Sequence, residues 1–167
     1  MEKTLQVLNG MVEDGVIKQY AIGGAIAAIF YIEPINTNDL DIFFSATSST
    51  PDLAILEPLY DYLSTLGYKP QGETVDIEGW PVQFLPIFNP LIEEAVDNAR
   101  ETNYSGITTR VMTAEHLVAI MLQTGRLKDH ARVEEFLEQE AVDRDSLEQI
   151  LARHDLLPKW DAFKGNL

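Results

Sequence analysis

Apolar residues first recur at helical spacing near the start of the chain. Leu5, Leu8 and Val12, with Val7 and Met11 beside them, predict an amphipathic helix over Lys3–Glu13 that Gly15 closes. The pattern then changes. Val16–Ile22 (VIKQYAI) predicts a short strand running into Gly23-Gly24, and the small-residued run Ala25–Ile32, apolar all round, predicts a helix buried on most of its surface. Glu33-Pro34 ends that helix, because proline disfavours the helical conformation of the residue before it. Asn36-Thr37-Asn38 reads as a polar turn, and Leu40–Phe44 as a second strand.

Ser45–Thr50 is a Ser/Thr loop, with Pro51 as the first residue of a helix whose stripe is Leu53, Leu56, Leu59, Tyr60, Leu63 and Leu66, stopped at Gly67. Three short strands are expected next, over Tyr68–Gln71, Thr74–Glu78 and Trp80–Ile87. Pro81 and Pro86 place the last of these at a sheet edge or make it short. A helix starts at Pro90 and runs to about Ala99, and Tyr104–Val111 is a strand or a loop. Thr113 suits the N-cap of a helix to Thr124, punctuated by Gly125. Leu127–Glu140 and Ser146–His154 follow as amphipathic helices, with Pro158 and Trp160 in a final turn that docks on the body. Mixed elements followed by helices imply an α+β class: a small mixed β-sheet flanked by helices, with a helical C-terminal part. The expected organisation is one compact domain, an α/β core over 1–112 and a helical part over 113–167 packed on it.

Composition supports a real core, since 46% of the 167 residues are hydrophobic and 23% charged. The charge is more informative. With 12 basic against 27 acidic residues, a formal charge of −15 opposes extended non-specific binding to nucleic acid. The one local basic stretch is Arg126–Arg132. The absence of cysteine excludes disulfides, thiolate nucleophiles and Cys-ligated zinc. No apolar run is long enough to span a bilayer and the N-terminus lacks a signal-like core, so a cytoplasmic protein with no membrane partner is expected.

Asp39-Leu40-Asp41 carries the candidate chemistry. Side chains two apart on a strand share a face, so the two carboxylates would present paired oxygens to a hard divalent cation. Without a cation or base nearby their mutual repulsion raises one pKa. The bland alternative is a solvated strand end on an acidic protein. A calcium loop over Asn36–Asp41 lacks the central glycine and the closing glutamate. Gly23-Gly24 is either a tight strand-to-helix turn or a set of backbone N–H groups suited to phosphate. It matches neither the dinucleotide-binding glycine pattern nor the Walker loop.

In order, Ile22-Gly23-Gly24, a helix, and a strand with Asp39-Leu40-Asp41 resemble the signature of the nucleotidyltransferase superfamily. Tyr20–Gly24 with Thr37-Asn-Asp-Leu-Asp41 is most similar to minimal bacterial members related to abortive-infection toxins. Ala114-Glu-His-Leu117 and Gly125-Arg-Leu-Lys128-Asp129 resemble the later helix and Lys-Asp motif of that group. The resemblance spans roughly residues 16–139. It implies a nucleotidyltransferase-like fold and an Mg²⁺-dependent enzyme, with Mn²⁺ as a substitute. Such an enzyme moves a nucleoside monophosphate from a nucleoside triphosphate to a hydroxyl of a tRNA, protein or small molecule, releasing pyrophosphate. Asp39 and Asp41 would be its catalytic metal ligands; Gly23, Gly24, Thr37, Lys128 and Asp129 would serve the nucleotide.

The sequence departs from that pattern at several positions. Gln83 stands where a third carboxylate is expected, Ile35 and Met121 where basic residues are, and Arg132 where an acid is. Asp76 or Glu78 could replace the missing carboxylate, or simply face solvent. These departures leave open a catalytically impaired relative that binds nucleotide or a protein partner in a toxin–antitoxin or defence setting. His116 reads as a packing or capping residue, His130 and His154 as lying on acidic helices with no partner spacing, and Trp80 and Trp160 as core or packing anchors.

Overall fold

The computed structural model describes residues 1–33, 37, 39–47 and 55–165. Helices α1 (Glu2–Glu13), α2 (Gly24–Ala28), α3 (Glu57–Thr65), α4 (Pro90–Asp97), α5 (Ala114–Thr124), α6 (Leu127–Glu138), α7 (Arg144–Arg153) and α8 (Leu157–Lys164) are built around a sheet. Its strands are β1 (Ile17–Ile22), β2 (Leu40–Ala46), β3 (Pro70–Gln71), β4 (Thr74–Ile77), β5 (Trp80–Pro86), β6 (Arg100–Tyr104) and β7 (Ile107–Val111). The expected helix start at Pro51, its Leu53, and the positions Pro34, Ile35, Asn36 and Asn38 lie outside the described residues.

The seven strands are ordered β3-β4-β5-β2-β1-β7-β6, with β2/β5 and β1/β7 parallel and the other neighbours antiparallel. This is the mixed α+β architecture that the sequence pattern implies. Leu40, Ile42 and Phe44 alternate into the core from β2, Tyr20 and Ile22 join them from β1 with Ile17 beyond an irregularity in the β1/β2 pairing, and Leu5, Leu8 and Met11 of α1 are buried too. Thr4 of α1 hydrogen-bonds the carbonyl of Ile77, while Tyr62 of α3 reaches Asp14 just beyond α1. Phe43, of opposite parity, lines a cleft with Ile92 of α4 and Leu117 of α5. No described helix is long and apolar enough to cross a membrane.

Three expectations are corrected. Strand β5 is neither an edge strand nor short: it is seven residues long and paired with β4 on one side and β2 on the other. Its prolines fall near the ends of the ladders, Pro81 opposite Asp76 and Pro86 opposite Phe44. The N–H of Ile87 then bonds the Phe44 carbonyl at 3.2 Å, so little pairing is lost. Arg100–Tyr104 is a strand that the pattern does not reveal, because β6 is almost wholly exposed and carries no buried alternation. The final turn is a helix, α8, which buries Trp160 and Phe163 in stacked rings 5.8 Å apart.

Candidate active site

The end of β1 and the start of β2 are locked together by the Gly23 N–H, which bonds the Asp41 carbonyl at 2.9 Å. The turn tolerates no side chain. A Cβ on Gly23 would stand 2.5 Å from the Phe43 ring, and one on Gly24 would stand 1.8 Å from Asp41 Oδ2. Gly24 also has φ of 58°, a conformation that glycine adopts without strain. The double glycine therefore brings the entry to α2 directly against the Asp41 carboxylate.

Asp41 lies in β2, half-buried, whereas Asp39 sits one residue before the strand and is exposed. Thr37 Oγ1 donates to Asp39 Oδ1 at 3.0 Å, restraining the second carboxylate. Burial pushes the Asp41 carboxyl up to about 6, and repulsion from Asp39 adds to the shift. Three cations of the α6 region, Arg126, Lys128 and Arg132, oppose it. Asp41, Gly24, Gln83, Arg126, Asp129 and Arg132 line one cleft of about 310 Å³. Its remaining wall is apolar, with Phe43, Leu85, Ile120, Met121 and the 68% exposed Phe88.

The Gly-Gly turn and Asp41 thus meet Asp129 in one cleft. Lys128 is exposed and acts on Asp41 through its charge, and Thr37 reaches Asp39 alone. Asp129 is buried, and its two oxygens take the Arg126 guanidinium at 2.7 and 3.1 Å. Residue-by-residue reading of the motif passes over Arg126 and Arg132 as site residues. The available signal was the basic stretch itself, whose Arg126 and Asp129 stand one helical turn apart.

Gln83 is the register partner of Asp41 on β5, so a neutral amide stands beside the carboxylate. Neither acid of the preceding hairpin is drawn toward Asp41 by its hydrogen bonds. Asp76 accepts from the Gly79 N–H, and Glu78 accepts from the Tyr68 hydroxyl beside Lys3. Among the described residues no group of three or more His, Asp or Glu side chains converges as a metal site. Asp39, Asp41 and the neutral Gln83 amide supply oxygen donors, the type that a hard divalent cation takes.

His116 is buried, with Thr113 Oγ1 at 2.8 Å from Nδ1 and Glu94 Oε1 at 3.3 Å from Nε2, as a packing residue would be. His154, by contrast, has a partner that sequence spacing hides: its Nε2 lies 2.7 Å from Glu94 Oε2.

No protein-family model matches the sequence, and no curated protein matches it either. Solved structures do share its architecture. A nucleotidyltransferase-like protein from Paracoccidioides brasiliensis superposes with a TM-score of 0.57 at 14% identity, covering 98% of this chain and 93% of that one. The antibiotic-resistance factor ANT(2'')-Ia in complex with adenylyl-2''-tobramycin gives 0.55 at 13% identity, over 99% of each chain. Its solution structure gives 0.54 at 14% identity, over 99% of this chain and 96% of that one. Over almost its whole length, this chain has the nucleotidyltransferase fold.

Proposed function

We propose that the protein is a metal-dependent nucleotidyltransferase. It moves a nucleoside monophosphate from a nucleoside triphosphate to an acceptor hydroxyl and releases pyrophosphate. The observation that carries this reading is the Asp41 carboxylate, half-buried against Gly24 in a cleft that Arg126 and Arg132 also line. Asp39 and Asp41 would hold Mg²⁺ or Mn²⁺, and such an ion supplies charge neutralisation at the reacting phosphate when bound. The chain's own residues do the rest. Gly23 and Gly24 admit phosphate oxygens where any side chain would collide, and Lys128 with the two arginines offsets polyphosphate charge. The apolar wall around Phe88 favours a ligand with a flat or apolar portion.

A small-molecule acceptor fits better than a tRNA, because the cleft is small and the chain carries a formal charge of −15. The neighbour whose complex contains adenylyl-2''-tobramycin offers a parallel in acceptor size. We place the reaction in the cytoplasm, where nucleoside triphosphates are supplied. A second reading is favoured by one observation, Gln83 beside Asp41. In that reading the protein keeps nucleotide or partner binding in a defence or toxin–antitoxin setting and has lost the reaction.

Incubation with each α-labelled nucleoside triphosphate, Mg²⁺ or Mn²⁺, and a mixed pool of tRNA, protein and small-molecule hydroxyls separates the two. Label transfer that Asp41→Ala abolishes is expected. Nucleotide binding without any transfer would select the impaired reading.

A further inference from the structure

Among the described residues the side chain of Asp129 bonds to Arg126 alone. Asp129 is 2% exposed, and its Oδ2 takes Arg126 Nε at 2.7 Å while Oδ1 takes Nη2 at 3.1 Å. The same Oδ2 accepts the Arg126 backbone N–H at 3.4 Å. A two-pronged carboxylate contact of this kind fixes the plane of a guanidinium as well as its position. The Arg126 side chain nevertheless remains 58% exposed, so its outer face is available to a ligand. Six residues along, the half-buried Arg132 lines the same cleft. Among the described residues no hydrogen bond or ion pair engages its guanidinium. On a chain with 27 acidic residues, an arginine that lines a cleft and acts on Asp41 only through its charge, with no direct ion pair among the described residues, points to an anionic ligand. Facing these arginines, the metal-ligand side is thin: Gln83 adds an oxygen but no charge beside Asp41.

We propose that Arg126 and Arg132 form a clamp that binds the polyphosphate of a nucleotide, or free pyrophosphate, without a divalent metal, and that Asp129 positions Arg126 within it. The inference rests on the reading of this cleft as a nucleotide site. It assigns Asp129 a part exercised through Arg126 and gives Arg132 a ligand. Lys128, exposed, contributes a point charge where the arginines contribute paired N–H donors.

The test is calorimetric titration of the full chain with sodium pyrophosphate in EDTA, with circular dichroism to confirm that each variant is folded. Saturable binding is expected in EDTA, weakened about tenfold or more by Arg126→Gln and by Arg132→Gln. Arg132→Gln alters a half-buried side chain, whereas Arg126→Gln also leaves the buried Asp129 carboxylate without its ion pair, so the double variant Arg126→Gln/Asp129→Asn, which removes that charge, is measured beside it. Asp129→Asn should weaken binding about as much as Arg126→Gln, and should add nothing in the Arg126→Gln background. Binding that needs Mg²⁺, or that either arginine variant leaves unchanged, would overturn the clamp. A further loss from Asp129→Asn in the Arg126→Gln background would overturn the positioning role. Label transfer is measured separately: metal-free pyrophosphate binding without transfer leaves the clamp standing and removes the transferase reading, and transfer without such binding does the reverse.

Discussion

Asp41 and Glu94 are both half-buried carboxylates, and their surroundings push them in opposite directions. Glu94 is held down to about 2, first by its hydrogen bonds to Arg153 and then by those to His154 and His116. Asp41 is pushed up to about 6 by burial and by Asp39. The chain supplies every charge that Glu94 needs. For Asp41 it supplies only cations that fall short of compensating the burial. A carboxylate satisfied within the fold ties elements together, here α4 to α5 and to the end of α7. One left unsatisfied awaits a partner from solution.

The largest way to break this contrast is Asp41→Asn. On the proposed reading label transfer should fall by about a thousandfold or more, since the carboxylate that would hold the metal becomes a neutral amide. Stability should move the other way. The folded protein holds the Asp41 proton more tightly than the unfolded chain, so its stability falls as pH rises from about 4 to about 6. Above that window the penalty is complete, and Asp41→Asn should stabilise the metal-free protein by up to roughly 3 kcal/mol at neutral pH. Below pH ~4, where both forms of the chain are protonated, urea denaturation should show little difference.

Glu94→Ala should do the converse, costing about 2–4 kcal/mol at neutral pH because it strands two histidines and an arginine. The Glu94 contribution is present above the ordinary carboxylate pKa and is lost as pH falls toward about 2, so the cost should vanish in strong acid. The smallest effect expected is from Gln83→Glu, which places a third carboxylate beside Asp41. Mn²⁺ affinity, followed by its paramagnetic effect on water relaxation, should rise about tenfold.

Local features of the site are legible in the chain. Gly23-Gly24 and Asp39–Asp41 lie close together in sequence, so a turn and a strand suffice to join them, and the turn geometry shows why neither glycine is replaceable. Gln83 was legible as a neighbour of the acidic pair through the family resemblance, and the β2/β5 register puts it opposite Asp41. The Glu94 cluster was not, since its partners lie 22, 59 and 60 positions away and no periodicity links them. Strand β6 was hidden for a different reason: exposed on both faces, it forms by pairing with β7 and leaves no apolar trace. The arginines lay in between, visible as charge but undirected until α6 turned them toward Asp41.

The order of the strands also sets when this site can come into being. β1, which ends in the Gly-Gly turn, takes β7 as its parallel neighbour, and Tyr20 meets Thr109 across 89 positions of chain. Loops of that length close slowly, and parallel pairing gives nothing back until they do. A ribosome making this protein must therefore finish β7 and α6 before the two glycines, Asp41 and Arg126 share a cleft. Until then the nascent chain carries the motif without the cleft, and the two halves of the site wait for each other across more than half of the chain's synthesis.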